Sequence, residues 1–514
     1  MLLFQLKQAL ANKLRTWWLP LVLATLVGMI YVLPHVLFIA DLGIDYQGII
    51  LMGTDAEESY AARVHEIYDG HYTVSNAFLY EHKNGPYLQP PLPELLMGLV
   101  GKLGGLSVGE LFIVADFVLP AVMFLLAYGF TLLLTGSRLA SVLGASLLVL
   151  GHHLFHFWLP ASLQFVLTGI QRPATPLIFS RPVHPQLSLP FFFGCLVFLY
   201  RAVRDEEWRD VVLAGVLLGV QFYTYPYCWT FLYVGGSILF TFALLRKEYR
   251  LCQRLAVVGG IGAVVSLPYW INSAAAVHSP AYADYLRRSG MIASRALTIS
   301  KQLLVSIPLF ALLHRPRDWR YWFLLSLLIG GFVVLNQNVI TGRQIQPGHW
   351  HWYTNKPTII ITLAVLLHNF FSGKGLGAYL RHWLRPWMGA LALGLVVAFL
   401  AGEALFVQVS ALNAQRERYV GYQSLAGAFA WLNANSTPDS VVLAAEPTAT
   451  LLAGYTHNNV YISCYCRDYL LDDTELWSRH LRALRFWGLS KSEVAAYINR
   501  WSGCFFGLYY RELY

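Results

Sequence analysis

Long apolar runs carry most of this chain, and short polar segments punctuate them. The runs cover 17–40, 111–134, 139–158, 186–201, 210–225, 227–245, 255–271, 298–313, 321–340, 356–371 and 387–408. A helix crosses the hydrocarbon with about 20 apolar residues, so the pattern predicts a polytopic α-helical membrane protein of about eleven transmembrane helices. The two short segments 298–313 and 356–371 enter or leave that count together without changing the sidedness of the rest. The first run is too long for a secretory signal and lacks a small-residue cleavage site, so it reads as a retained anchor. Between it and the second run lies the most polar stretch of the membrane part, 41–93. After the last run, 409–514 alternates charged and apolar residues and reads as a small α/β domain: a helix ending near Asn433, an Asn-Ser-Thr-Pro-Asp turn, then a strand over 441–445.

Basic residues assign the sides. Lys and Arg in short loops stay cytoplasmic, which places the arm with Lys7, Lys13 and Arg15 inside, together with Arg138, the Arg201–Arg209 group, Arg246–Arg254, Arg315–Arg320 and Lys374–Arg385. The first loop 41–93 and the segment 409–514 then face outward, and the membrane domain spans 1–408. Composition agrees: 56% of the 514 residues are hydrophobic, 13% are charged, and mean hydropathy is +0.49. The net charge of +9 is scattered along the chain, which is the distribution of topology determinants and excludes a nucleic-acid face.

The first loop concentrates carboxylates in a weakly charged protein: Asp55, Glu57, Glu58, Glu66, Asp69 and Glu81. With Thr54 as cap of a helix starting near Asp55, Asp55, Glu58 and Ala62 share one face. Such carboxylates can act as general base or hold a divalent cation, or they form a solvated polar loop. Pro90, Pro91 and Pro93 start a following helix that ends at Gly104-Gly105. Other segments on the same side carry cations: Arg172, Arg181 and His184 within 151–185, Arg287, Arg288 and Arg295, and Arg343 and His349 within 341–356. Guanidinium forks suit phosphate, or they anchor loops at headgroups. Asp116 lies inside a span and is expected to pair with an arginine. His35, His152, His153 and His156 read as interfacial polar residues. No zinc spacing, P-loop, dinucleotide fingerprint or nucleophile elbow occurs. Among the six cysteines, a bridge from Cys464 or Cys466 to Cys504 is the pairing that spacing leaves open, with free thiols as the alternative.

Three features of the first loop resemble the GT-C superfamily of integral-membrane glycosyltransferases. They are the acidic motif with a following tyrosine, Asp55-Ala-Glu57-Glu58-Ser-Tyr60, the step Gly70-His-Tyr72, and Tyr87-Leu-Gln-Pro90-Pro91-Leu92 leading into a helix. The resemblance implies inverting transfer of a sugar from a polyprenyl-phosphate carrier to an acceptor glycan, lipid or protein at the outer face, in a bacterial plasma (inner) membrane. It implies Asp55 as base with Glu57 or Glu58, and Tyr60, Arg172, Arg181, His184, Arg343 and His349 on the substrate. A divalent cation, Mg or Mn, would sit on Asp55 if one is used. The motif departs from the family's adjacent Asp-Glu pair at Ala56. The loop 151–185 has no acidic residue, whereas oligosaccharyltransferase-like members carry a second acidic motif there, which points to a monophosphate carrier. A lipid or saccharide transporter or flippase would place charges near the midplane of several helices; that reading and a non-catalytic assembly subunit remain the alternatives.

Overall fold

The computed structural model describes residues 2–53, 55–155, 160–169, 175–291, 293–314, 318–373, 377, 379 and 385–500, without the side chains of 2–16, Asp55, Ala56 and Pro386. Every predicted apolar run contains helix among its described residues. By length and apolarity, four described helices can cross a membrane: Trp17–Asp45, Val108–Thr135, Pro226–Leu245 and Trp387–Asn413. Tyr249–Val265 and Leu267–Val277, bent by 52°, make a fifth if taken as one span. The bend has a local cause: Pro268 sits in the first turn of the second helix and has no N–H to continue the preceding hydrogen-bond ladder.

The remaining runs form shorter helices: Arg138–Val149, Ser188–Arg204, Trp208–Val220, Lys301–Leu313, Trp319–Leu335 and Lys356–Ser372. At 1.5 Å per residue the longest of these reaches about 25 Å, less than a ~30 Å hydrocarbon core. All pack into one apolar core with the longer helices. The protein is an integral membrane protein.

A second core joins two segments far apart in sequence. It holds Ile49–Met52, Tyr60, Val64 and Phe78 of the first loop together with Tyr419, Phe429, Leu451, Val460 and Leu476. The first-loop helix Asp55–Asp69 packs on the helix Thr448–Tyr455 so closely that a Cβ on Gly454 would lie 3.0 Å from that of Ala61. Behind them strand β1, Val441–Val442, pairs in parallel with β2, Asn459–Val460, and the Val460 amide donates to Phe78 O at 2.9 Å. The strand expected over 441–445 is thus only two residues long; the polypeptide turns into the Thr448 helix instead.

The proline-led helix forms as expected over Leu92–Gly104, closed by Gly105 in the left-handed region at φ 65°. Asp116 corrects an expectation. Its partners are His35 Nε2 at 2.7 Å and Gln186 Nε2 at 2.6 Å, not an arginine. His35 is therefore a buried partner and not an interfacial residue. Cys464 is disulfide-bonded and Cys466 is a buried free thiol; Cys504 and His156 lie outside the described residues.

Candidate active site

The site is assembled where the loop 175–186 meets the start of the first-loop helix. Gly53 is the contact point: a Cβ there would lie 2.4 Å from Pro176 Cγ, so only glycine admits this approach. Two glutamines hold the loop from below. Gln408, on the last long helix, accepts from the Leu177 amide at 3.0 Å and donates to Ser180 Oγ. Gln186 bridges Phe179 O and Asp116. The buried acid of the second span thus supports the loop that carries Arg181 and His184.

Arg181 is the centre of the arrangement. Nη1 donates to Tyr353 Oη at 2.8 Å and Nη2 to Tyr60 Oη at 3.0 Å, with the Tyr60 ring 5.3 Å from the guanidinium carbon. Its Nε is shielded from solvent and has no partner. Among the described residues no carboxylate pairs with it. Burial works against the charge, but Tyr60, Tyr353 and Tyr225 hold its pKa above the ordinary arginine value. His184, fully buried, stacks on Tyr225 with ring centres 4.5 Å apart, and neither ring nitrogen has a hydrogen-bond partner. Burial, then Arg181 and Arg63, push its pKa far down. His349 bonds Tyr225 Oη through Nδ1 and stacks on Tyr227; burial and Arg181 lower it to about 3. Both imidazoles are neutral, so Arg181 carries the charge of this group.

Two carboxylates lie on the helix that carries Tyr60. The buried Glu57 accepts from the Gly53 amide at 2.9 Å, and the buried Glu58 accepts from Arg418 Nη2 at 3.0 Å and Tyr419 Oη at 2.8 Å. The helix starts at Asp55, as expected; Thr54 and the side chain of Asp55 lie outside the description. One turn beyond Tyr60, Arg63 pairs with the fully buried Glu94 and donates to Gln89 O, tying the proline-led helix to the site.

The structure therefore brings Tyr60, Arg181, His184 and His349 together, with Glu57 and Glu58 along the helix from Tyr60. It does not bring in Arg343, which is exposed and whose side chain makes no hydrogen bond among the described residues. Arg172 lies outside the described residues. No group of three His, Cys, Asp or Glu suited to a metal ion occurs among the described residues, and Glu58 is already engaged by Arg418 and Tyr419.

The backbone arrangement is similar to that of solved membrane enzymes. The oligosaccharyltransferase of Archaeoglobus fulgidus in its apo form superposes with a TM-score of 0.51 at 15% identity, over 86% of this chain and 64% of that one. This chain shares its fold with that oligosaccharyltransferase. This chain spans about two thirds of the archaeal enzyme. ArnT from Cupriavidus metallidurans, bound to undecaprenyl phosphate, matches with a TM-score of 0.46 at 13% identity over 83% of this chain and 85% of that one. No protein-family model matches the sequence, and no curated protein does.

Tyr225, Tyr353, Arg63 and Arg418 are residues of this arrangement that sequence reading missed. The clustered aromatics of 223–229 and 349–353 were the available signal, since repeated Tyr and Trp at loop ends seldom serve packing alone. Arg418 had none, because it lies 360 residues from Glu58.

Proposed function

We propose that this protein is an inverting membrane glycosyltransferase that takes a sugar from a polyprenyl-phosphate carrier and passes it to an acceptor at the outer face. One observation carries the reading. Among the described residues Arg181, partly buried, is bonded by the phenols of Tyr60 and Tyr353 and meets no carboxylate, and it is held against the helix whose first turn bears Asp55. Tyr60 lies on the same helix as Asp55, five residues on and about 7.5 Å along the helix axis.

Breaking the bond between sugar and carrier leaves charge on the lipid phosphate. Arg181 stabilises that charge as it develops, in surroundings where the attraction is little screened. The phenols of Tyr60 and Tyr353 hold the guanidinium plane, so it need not reorganise during the reaction. The acceptor hydroxyl loses its proton to Asp55 as its oxygen attacks the anomeric carbon from the side opposite the phosphate, which inverts that centre. Arg418 and Tyr419 hold Glu58 in place on the same helix as Asp55. Neutral His184 and His349 stack on Tyr225 and Tyr227 and add no charge. In this reading the chain crosses a bacterial inner membrane eleven times, with the arm 1–15 in the cytoplasm and the 409–514 segment outside. The polyprenyl tail stays in the lipid.

Asp55→Asn tests the assignment. The amide keeps the shape and loses the basic lone pair, so turnover falls by about 100-fold or more while donor-lipid binding is kept. Transfer at the normal rate would remove Asp55 from the chemistry.

A further inference from the structure

Tyr225 has no task in the proposed chemistry, yet the fold holds its ring against three others. His184 stacks on it with centres 4.5 Å apart, and Tyr227 and Tyr353 lie against it at 5.1 and 5.6 Å. The residue is buried. Among the described residues its Oη meets one partner, His349 Nδ1. The nitrogens of the stacked His184 do not serve it, since both lack a hydrogen bond.

The direction of the bond follows from counting donors. A phenol has one proton to give, and a neutral imidazole has one donor and one acceptor nitrogen. If Nδ1 carried the proton, it would donate to Oη and leave the phenol proton buried with no acceptor among the described residues, an arrangement that proteins avoid. With the phenol donating to Nδ1, the imidazole proton sits on Nε2 and both buried groups are satisfied. An imidazolium would leave the phenol proton without an acceptor again, and the charge of Arg181 opposes it.

The ring of His349 is also fixed in orientation. It stacks on Tyr227 at 4.6 Å, and its backbone N–H donates to Gln346 O at 3.1 Å. Gln346 in turn accepts from Tyr227 Oη at 3.0 Å and donates to Ser289 O at 3.3 Å. Nε2 is the open end: His349 is partly exposed, and Nε2 makes no hydrogen bond among the described residues and, unlike the nitrogens of His184, is not shut off from solvent. The same ring lies edge-on to Tyr353 at 5.7 Å, and Tyr353 Oη accepts from Arg181 Nη1 at 2.8 Å. One tyrosine thus separates the open N–H from the guanidinium.

We propose that Tyr225 is a positioning residue whose phenol donates to His349 Nδ1, fixes the proton of the neutral imidazole on Nε2, and so presents an uncharged N–H to an oxygen of the donor's phosphate beside Arg181. The assignment of the phosphate rests on the glycosyltransferase reading; the position of the proton does not. A neutral donor steadies charge that develops on oxygen without giving up its proton, and it leaves Arg181 as the cation of the group.

Nitrogen NMR of the full chain, carrying isotope-labelled histidine in phosphatidylcholine nanodiscs at neutral pH, reads the proton position directly, and the His349→Gln spectrum identifies the His349 signals. A pyridine-type Nδ1 and a pyrrole-type Nε2 are expected. The reverse pattern, or the two pyrrole-type signals of an imidazolium, would overturn the proposal. Titration with decaprenyl phosphate should move the Nε2 signal, whereas decaprenol, which lacks the phosphate, should not. A thermal shift on adding decaprenyl phosphate with no movement of His349 would overturn the contact and leave the role of Arg181 standing; absence of binding by either readout would overturn the contact together with the glycosyltransferase reading. Tyr225→Phe keeps the stacked ring and removes the phenol proton. It should displace the Nδ1 signal from its hydrogen-bonded position and lower kcat about tenfold, roughly what one hydrogen bond contributes, with a smaller change in donor KM and a ligand-free melting temperature close to that of wild type. Unchanged signals and kcat would refute the positioning role, as would a kcat loss matched by a collapse of the melting temperature.

Discussion

Replacing Arg181 with methionine separates a substrate-binding arginine from a structural one. The side chain donates to Tyr353 at 2.8 Å and to Tyr60 at 3.0 Å and meets no carboxylate among the described residues. Its removal leaves two phenols without a partner, a cost of about 1–3 kcal/mol for each that stays dry. It also relieves an unpaired cation of its desolvation penalty. The two effects oppose each other, so the ligand-free melting temperature should move by only a few degrees. The bound state has no such compensation. A phosphate charge about 4 Å from a guanidinium gains about 4 kcal/mol at an effective dielectric of 20, which is roughly a 1000-fold change in an equilibrium constant. Donor affinity should therefore fall by about three orders of magnitude. The specificity constant should fall further, since the leaving phosphate carries more charge in the transition state than in the ground state. Arg181→Lys should recover part of the loss, because a lysine keeps charge but cannot reach both phenols and the ligand with one planar fork. The assay pairs initial rates of sugar transfer in reconstituted membranes with donor-induced thermal shifts. Donor affinity within threefold of wild type for Arg181→Met would refute the argument, as would a ligand-free stability loss so large that the protein no longer folds.

Three further outcomes follow from the same geometry. Arg343→Lys should change donor affinity and rate by less than about twofold, as an exposed charge without a partner predicts; a tenfold loss in the transfer assay would put that segment over the site. Arg288 is buried and donates to Arg467 O, Tyr469 O and Leu471 O as well as to Asp473, so Arg288→Met should destabilise by about 3–5 kcal/mol, read as a lower denaturant midpoint. Glu66 is buried against Lys83; burial raises its pKa from 4.5 to about 7 despite that partner. The folded state then binds the extra proton between those values, so this group's contribution to stability declines as pH rises from about 4.5 to about 7. Glu66→Gln should remove that decline, and a wild-type minus mutant difference that is flat across the window would contradict it.

How far the sequence alone reached can be traced on particular elements. Apolar runs determine helices locally, so the membrane class, the helical segments and the Asp55 helix were legible. So was the proline-led helix from Leu92, since a proline in the first turn and a glycine past the end act through their own backbone angles. Helix length was less legible: hydropathy counts apolar residues, whereas Pro268 and the end of helix at Leu335 depend on where the backbone ladder breaks. Pairing across the fold was not legible at all. Nothing near Asp116 distinguishes a histidine from an arginine partner, and Glu58 meets Arg418 only because the segment after the last long helix packs on the first loop. The same holds for Arg181 and Arg343, two arginines of similar sequence surroundings. Only the tertiary structure sets one between Tyr60 and Tyr353 and leaves the other exposed, because residue type is written locally while the surroundings that tune a charge come from segments more than a hundred residues away.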